Sequence, residues 1–381
     1  MDKIKVLMFV DRFGYGGGIQ SLLYNLHTHF DPDKIHVDYL TLDDGVDRYN
    51  EQKRIRDLDS TIFILKGIWP NKITTFFKYA KKADEFFREH HDYDVVHVHA
   101  SSKNYFILKY AKKYGIKVRI MHSHSSNYMS KSKFKQFVGD LLKIPTRKYS
   151  TDYFACSDLA AQWIFGKEAF KKGDVTILKN GIDLDNYKFN EIYREEIREE
   201  LNIGKEEFVI GSVARFVKVK NQAFIIDIAK ELVELNQNVK VILAGEGELI
   251  DECKEKVKTL NIQNNVLFLG LRSDINKLVQ AIDLFIMPSL YEGLPVSAVE
   301  AQASGCVCLF SDQVSREAKL IDSTTFLSLD VSSKMWAKKI IELANQKIDR
   351  LEAHVALKND GWNIDDIAKY LVDYYANRIG G

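Results

Sequence analysis

LFIMPSLYEGLPVSAVE (284–300) begins as a short apolar run, breaks at a turn around Glu292-Gly293-Leu294-Pro295, and continues to Ser304-Gly305. The run LFIM reads as a buried strand. Pro295 fits the first position of a helix, where its missing N–H is no loss, and Ser304-Gly305 ends that helix after about three turns. Glu292 stands before the turn. Glu300, eight residues on, lies inside the helix, about 7–8 Å from the helix start at about 1.5 Å per residue. A carboxylate can accept hydrogen bonds from two neighbouring hydroxyls. Two carboxylates around a strand-to-helix turn therefore suit a ligand with more than one sugar ring, although a solvated helix face would also carry such a pair.

The same strand–turn–helix unit recurs along the chain. In the first half the strand signals are IKVLMFV (4–10), HVDYLTL (36–42), DVVHVHA (94–100), KVRIMHSH (117–124) and DYFACS (152–157). In the second they are FVIGSVA (208–214), VKVILAG (239–245), NVLFLG (265–270), LFIMPS (284–289) and CVCLFS (306–311). Helical patterns lie between them, as in NQAFIIDIAKELVEL (221–235), where Phe224, Ile228, Leu232 and Leu235 share a face. Strands alternating with helices imply parallel sheets covered on both sides. At 381 residues the chain is long for one core, and two α/β domains are expected. The seam falls near NGID (180–183), after a last strand VTILKN (175–180), giving domains at 1–180 and 181–361 and a terminal amphipathic helix at 362–381 that would pack back on the first domain. Open sheets of this kind bind ligands at the carboxyl ends of their strands.

Composition narrows the partners. Residues 1–180 carry 30 Lys and Arg against 21 Asp and Glu, while residues 181–381 carry 24 against 32. The basic residues are dispersed and no nucleic-acid-reading motif accompanies them, so nucleic acid is not an expected partner. No apolar run reaches the roughly 20 residues that span a bilayer. MDKIKVLMFVDRF reads as a first strand rather than a signal peptide. The cysteines (Cys156, Cys253, Cys306, Cys308) show no disulfide framework, which fits a reduced, cytoplasmic setting.

Two further loops carry chemistry. GYGGGIQSLLYNL (14–26) follows the first strand and opens a helix, so Gly17 and Gly18 would let backbone N–H groups approach an anion. A dinucleotide fingerprint would need a third glycine at position 19, where Ile19 stands, and this disfavours a nicotinamide enzyme even though Asp38 lies about twenty residues on. VARFVKVKNQ (213–222) sets Arg215 and Lys220 between a strand and a helix, where two fixed cations suit a diphosphate. A solvated loop is the alternative for that pair taken alone.

Together GGGIQ, HSHSS, NGID, the Arg-x4-Lys of ARFVKVKN, GEGEL, FLGLRSD and the E-x7-E unit resemble the retaining glycosyltransferases of family 4. These enzymes have the GT-B fold, two Rossmann-like domains facing a central cleft. The resemblance covers nearly the whole chain and includes many bacterial capsule and exopolysaccharide enzymes. It implies an N-terminal acceptor-side domain and a C-terminal domain that binds a nucleoside diphosphate sugar, with a UDP-sugar favoured. It implies that Arg215 and Lys220 neutralise the diphosphate, that Gly18 approaches a donor phosphate, and that Glu300 binds the ribose. Glu292, with Gly293, Leu294, Pro295 and Val296, would lie near the sugar and phosphates, and the loop at Leu271 and Arg272 near the base. His124 matches the family's active-site histidine beside the donor sugar. Same-face transfer of a hexose or N-acetylhexosamine to a saccharide or lipid-diphosphate acceptor follows by resemblance only.

No metal or organic cofactor is expected. His97 with His99, and His122 with His124, could each offer half of a metal site, but spacing suggests no third ligand. His27 and His29 read as surface residues of a helix. Residues 128–150, YMSKSKFKQFVGDLLKIPTRKYS, form a basic amphipathic segment suited to an anionic membrane surface at the inner face of the cell membrane, or else to packing with a solvated basic face. Two rivals share the architecture. One is a nucleotide-sugar epimerase or a phosphorylase, though no pyridoxal lysine stands out, and the other is a non-catalytic partner that keeps the fold.

Overall fold

The computed structural model describes residues 3–11, 18–42, 57–65, 73–125, 132–235, 237–346 and 348–380. The chain divides into two compact units. One takes in residues up to Gly181 and from Asn363 onward, and the other runs from Ile182 to Trp362.

In the first unit the described strands are β1 (Ile4–Val10), β2 (Ile35–Thr41), β3 (Ile62–Ile64) and β4 (Val95–His99). They continue with β5 (Val118–Ser123), β6 (Asp152–Ala155) and β7 (Val175–Ile177). They pair in parallel in the order β3-β2-β1-β4-β5-β6-β7. The second unit has β8 (Phe208–Val213), β9 (Val239–Ala244), β10 (Val266–Gly270), β11 (Leu284–Met287), β12 (Val307–Ser311) and β13 (Thr324–Leu327). Its parallel order is β10-β9-β8-β11-β12-β13. Both sheets reverse direction of growth beside their first strand, between β1 and β4 and between β8 and β11. This is the doubly wound topology, and it creates a ligand-binding switch point at those strands' carboxyl ends.

Continuous Val, Ile, Leu and Phe runs bury both faces of the central strands, as a parallel sheet with helices on each side requires. The first unit has an apolar layer on each side of its sheet. One of them is completed by the helix Ile364–Gly380, whose Ile364, Ile367, Ala368, Leu371, Val372 and Tyr375 pack with Val6, Met8, Leu23 and Tyr39. The terminal chain thus finishes the core of the first unit. In the second unit Trp336, Ile340 and Leu343 cover one face, while Leu278, Ala298 and Ala301 cover the other.

β3 and β13 have no counterpart among the sequence-predicted strands. Each is a sheet edge of three or four residues, too short to show alternation. Pro295 also differs from expectation. It is the extended residue before the helix Val296–Ala303, with φ −74° and ψ 133°, so the helix starts one residue later. Ser304 and Gly305 close it, with Gly305 at φ 69°. Asp38 has a structural role: its carboxylate accepts from the Tyr93 hydroxyl at 2.8 Å and from the Thr61 N–H at 2.7 Å. His27 is half-buried rather than fully exposed: its Nδ1 lies 3.1 Å from Tyr39 Oη, and burial pushes its pKa down to about 4. No helix among the described residues is long and apolar enough to cross a membrane.

Candidate active site

In the second unit the loops after β8 and β11 meet at the switch point. The chain leaving Val213 is zipped to the GEGEL segment: Ala214 N–H donates to Ala244 O, Phe216 N–H to Glu246 O, and Leu249 N–H to Phe216 O. That approach needs the glycines, because a methyl on Gly247, at φ 154°, would fall 2.4 Å from the Phe216 carbonyl oxygen. Phe216 is fully buried and anchors the loop, whereas Arg215 beside it is exposed. Among the described residues the Arg215 guanidinium has no ion pair.

The loop then docks on the one after β11. Asn221 takes a left-handed conformation and its amide donates to Pro288 O at 3.1 Å, while Leu290 N–H donates to Val219 O at 2.8 Å. These bonds bring Lys220 and Glu292 into an ion pair, with side chains only 17% and 16% exposed. Glu292 is held from the other side as well, since its carbonyl accepts from Ser315 N–H at 2.9 Å. A cation and an anion fixed in a partly dry niche, on a loop that also carries the exposed Arg215, can exchange partners with an incoming anion that also carries hydroxyls.

Glu300 sits in the helix Val296–Ala303 and, among the described residues, makes no ion pair. Its carboxylate accepts from the Tyr187 hydroxyl at 2.7 Å, and burial raises its pKa while that hydrogen bond lowers it. Gly293 and Val296 are partly buried beside the turn, and Leu294 packs into the core beneath it. At the end of β10, Leu271 is 39% exposed. The Arg272 side chain is committed to Glu200 at 2.5 Å and Asp274 at 2.6 Å, which leaves only the backbone of that loop for a ligand.

In the first unit Gly18 begins the helix Gly18–Thr28, and Gly17 lies outside the described residues. His124 follows β5. Its Nδ1 is 3.1 Å from Asn180 Oδ1, and its Nε2 is 3.0 Å from His99 Nδ1. An amide oxygen only accepts, so His124 carries its proton on Nδ1 and accepts from His99 on Nε2. Burial pushes its pKa down to about 4, so the ring is neutral near pH 7.

His97, His99 and His122 are also brought together, with one nitrogen of each within 4.8 Å of the others. Sequence spacing suggested no third ligand. The third arrives across the sheet, because His99 on β4 is in register with His122 on β5. Among the described residues His97 Nε2 and His99 Nε2 have no hydrogen-bond partner, while His97 Nδ1 meets Tyr375 Oη at 2.7 Å. No carboxylate or thiolate belongs to the group, so a divalent ion there would bring its full charge into the core without an anion.

Sequence reasoning singled out Arg215, Lys220, Glu292 and Glu300 but missed Tyr187 and the hydrogen-bonding role of Asn180. Asn180 opens NGID, and Tyr187 follows that turn by four residues. The pattern therefore marked the segment, though not its side-chain partners.

Comparison with known proteins agrees with this layout. Residues 193–360 match the family "Glycosyl transferases group 1", and residues 16–186 match "Glycosyltransferase Family 4". A putative glycosyltransferase of Bacillus subtilis, EpsF, is 33% identical over 330 residues, which cover 86% of this chain and 85% of that one. An Escherichia coli UDP-Gal:α-D-GlcNAc-diphosphoundecaprenol α-1,3-galactosyltransferase is 29% identical over 226 residues, 58% of each chain. The crystal structure of Anabaena HepE with UDP and glucose superposes with a TM-score of 0.74 at 17% identity, covering 98% of this chain and 99% of that one, so the fold is GT-B. The two α/β units and the extent of these matches lead to one assignment: the chain belongs to the family 4, group 1 glycosyltransferases.

Proposed function

We propose that the protein moves a hexose or N-acetylhexosamine from a nucleoside diphosphate sugar, a UDP-sugar, to a saccharide or lipid-diphosphate acceptor. Transfer retains the anomeric configuration, takes place in the cytoplasm and serves bacterial surface polysaccharide synthesis. The observation that carries this reading is the Lys220–Glu292 pair at the β8/β11 switch point, with Arg215 exposed on the same β8 loop. The E. coli relative supports the donor and acceptor classes, since its name gives UDP-Gal and a diphosphoundecaprenol-linked sugar.

In the proposed reaction the bond from the anomeric carbon to the phosphate oxygen breaks, and the leaving diphosphate keeps the electron pair. The acceptor hydroxyl oxygen bonds to the same face of that carbon, and its proton passes to the departing phosphate. Negative charge grows on the diphosphate, so fixed positive charge there lowers the barrier. Lys220 and Arg215 supply it, with the N–H groups of Gly17 and Gly18 and the helix that begins after Pro295. On donor binding Lys220 exchanges Glu292 for phosphate oxygens, which frees Glu292 for the sugar hydroxyls. Glu300 takes the ribose hydroxyls, and the backbone at Leu271 and Arg272 lies along the base. On donor binding the neutral His124 exchanges its His99 contact for the sugar, its Nε2 accepting from a sugar hydroxyl, and it does not act as an acid. No step requires a metal or an organic cofactor, and neither glutamate serves as a nucleophile.

The test is Lys220→Ala. With one preorganised cation removed, turnover at saturating donor should fall about 10²–10³-fold while the thermal unfolding profile is kept. Near-normal turnover would remove Lys220 from the mechanism. The basic segment 128–150, of which residues 128–131 lie outside the described residues, supports contact with an anionic membrane surface as part of this reading.

A further inference from the structure

We infer that Tyr187 is a positioning residue for the donor's ribose, acting through Glu300. The inference rests on the reading of Glu300 as the ribose-binding carboxylate and adds a residue to it. Among the described residues the Glu300 carboxylate has one hydrogen-bond partner, the Tyr187 hydroxyl at 2.7 Å, and no ion pair to fix its orientation. A partly buried carboxylate without a cation is free to rotate about its last torsion, and burial raises its pKa. A single donor on Oε1 changes both conditions: it fixes the plane of the carboxylate and stabilises the ionised form that must accept from hydroxyls. Oε2, and the second lone pair of Oε1, are then left for a vicinal diol.

The phenol is itself well supported. Asp183 of NGID caps the short helix Leu184–Tyr187, accepting from Asn186 N–H at 3.2 Å. Ile182 N–H donates to Trp362 O, and Ile182 and Leu184 are buried against Val299, Ala303 and Trp362. Val299 and Ala303 belong to the same helix as Glu300, so the donor and acceptor of the hydrogen bond are packed on one another. Burial and the adjacent carboxylate push the Tyr187 pKa far up, which leaves the hydroxyl protonated as a donor. A ring held only for packing would be as well served by phenylalanine. Among the described residues the hydroxyl's hydrogen-bond partner is Glu300.

The experiment uses the full chain and measures the affinities of UDP and GDP, each beside its 2′,3′-dideoxy analogue, by calorimetric titration. The readout is the ratio of dideoxy to ribo dissociation constants for whichever nucleotide binds. Three proteins are compared: wild type, Tyr187→Phe and Glu300→Gln. The account expects a ratio above about tenfold in wild type, a fall of about fivefold in Tyr187→Phe, and collapse toward one in Glu300→Gln. A general loosening of the fold would weaken both nucleotides alike and leave the ratio standing. If Glu300→Gln collapses the ratio and Tyr187→Phe leaves it unchanged, the inference fails while the ribose reading survives. If Glu300→Gln leaves it unchanged, or neither nucleotide binds the wild type, the ribose reading fails and the inference with it.

Discussion

His124 shows what single residues contribute beyond their motif. Sequence identified it as the histidine of HSHSS, but its protonation state depends on Asn180 and His99, which come from other parts of the chain. Its neighbours share its condition: burial lowers the pKa of His97, His99 and His122 well below the ordinary histidine value. The sign follows from linkage. These rings bind protons more readily unfolded, near pH 6.5, than folded, so the native state is fully favoured above that pH and loses stability as pH falls toward about 4. Denaturant unfolding should therefore show the first unit clearly weaker at pH 5 than at pH 7. A transition that does not move would mean the cluster is solvated or otherwise satisfied. The carboxylates of E-x7-E were legible because a spacing of eight positions between two glutamates survives any packing. The partners of both, Lys220 and Tyr187, depend on loops folding together.

Elements differ in how far their pattern revealed them. Long apolar strands such as β1 and β12 were plain, whereas the edge strands β3 and β13 had too few residues to show a period. The helix Lys133–Tyr149 is the most instructive case. Its apolar positions Phe134, Phe137, Val138, Leu141 and Ile144 recur at helical spacing, which in an ordinary surface helix would face the core. Here they face out, with Phe134 74% and Phe137 60% exposed, while Lys143 is buried over Trp163 and Thr146 is buried beside it. Lys133, Lys135 and Lys148 are exposed on the same helix. Apolar rings flanked by lysines match the acyl boundary and headgroups of an anionic bilayer. Flotation with vesicles containing anionic lipid should carry the protein at low salt, and Phe134→Ser/Phe137→Ser should abolish it. Equal recovery of wild type and variant would contradict a membrane role for this helix.

At the scale of the whole molecule, alternation of strands and helices foretold two parallel sheets. Strand order was not legible, because it depends on which crossover each helix makes. The terminal helix adds a coupling between distant ends of the chain, since Leu371 and Tyr375 lie in the core formed by β1, β2 and β5. Leu371→Ala should lower the stability of the first unit by about 2–5 kcal/mol, read as an earlier denaturant transition, and leave the second unit's transition in place. Loss of both transitions together would show that the two units unfold as one.

The central claim is that Arg215 and Lys220 hold the donor's diphosphate. Its most direct measurement is calorimetric titration of UDP and GDP against their monophosphates, in wild type and in Arg215→Ala/Lys220→Ala. The account predicts that the wild type prefers the diphosphate by at least about tenfold and that the double variant binds diphosphate and monophosphate alike. A variant that keeps the full preference would contradict it.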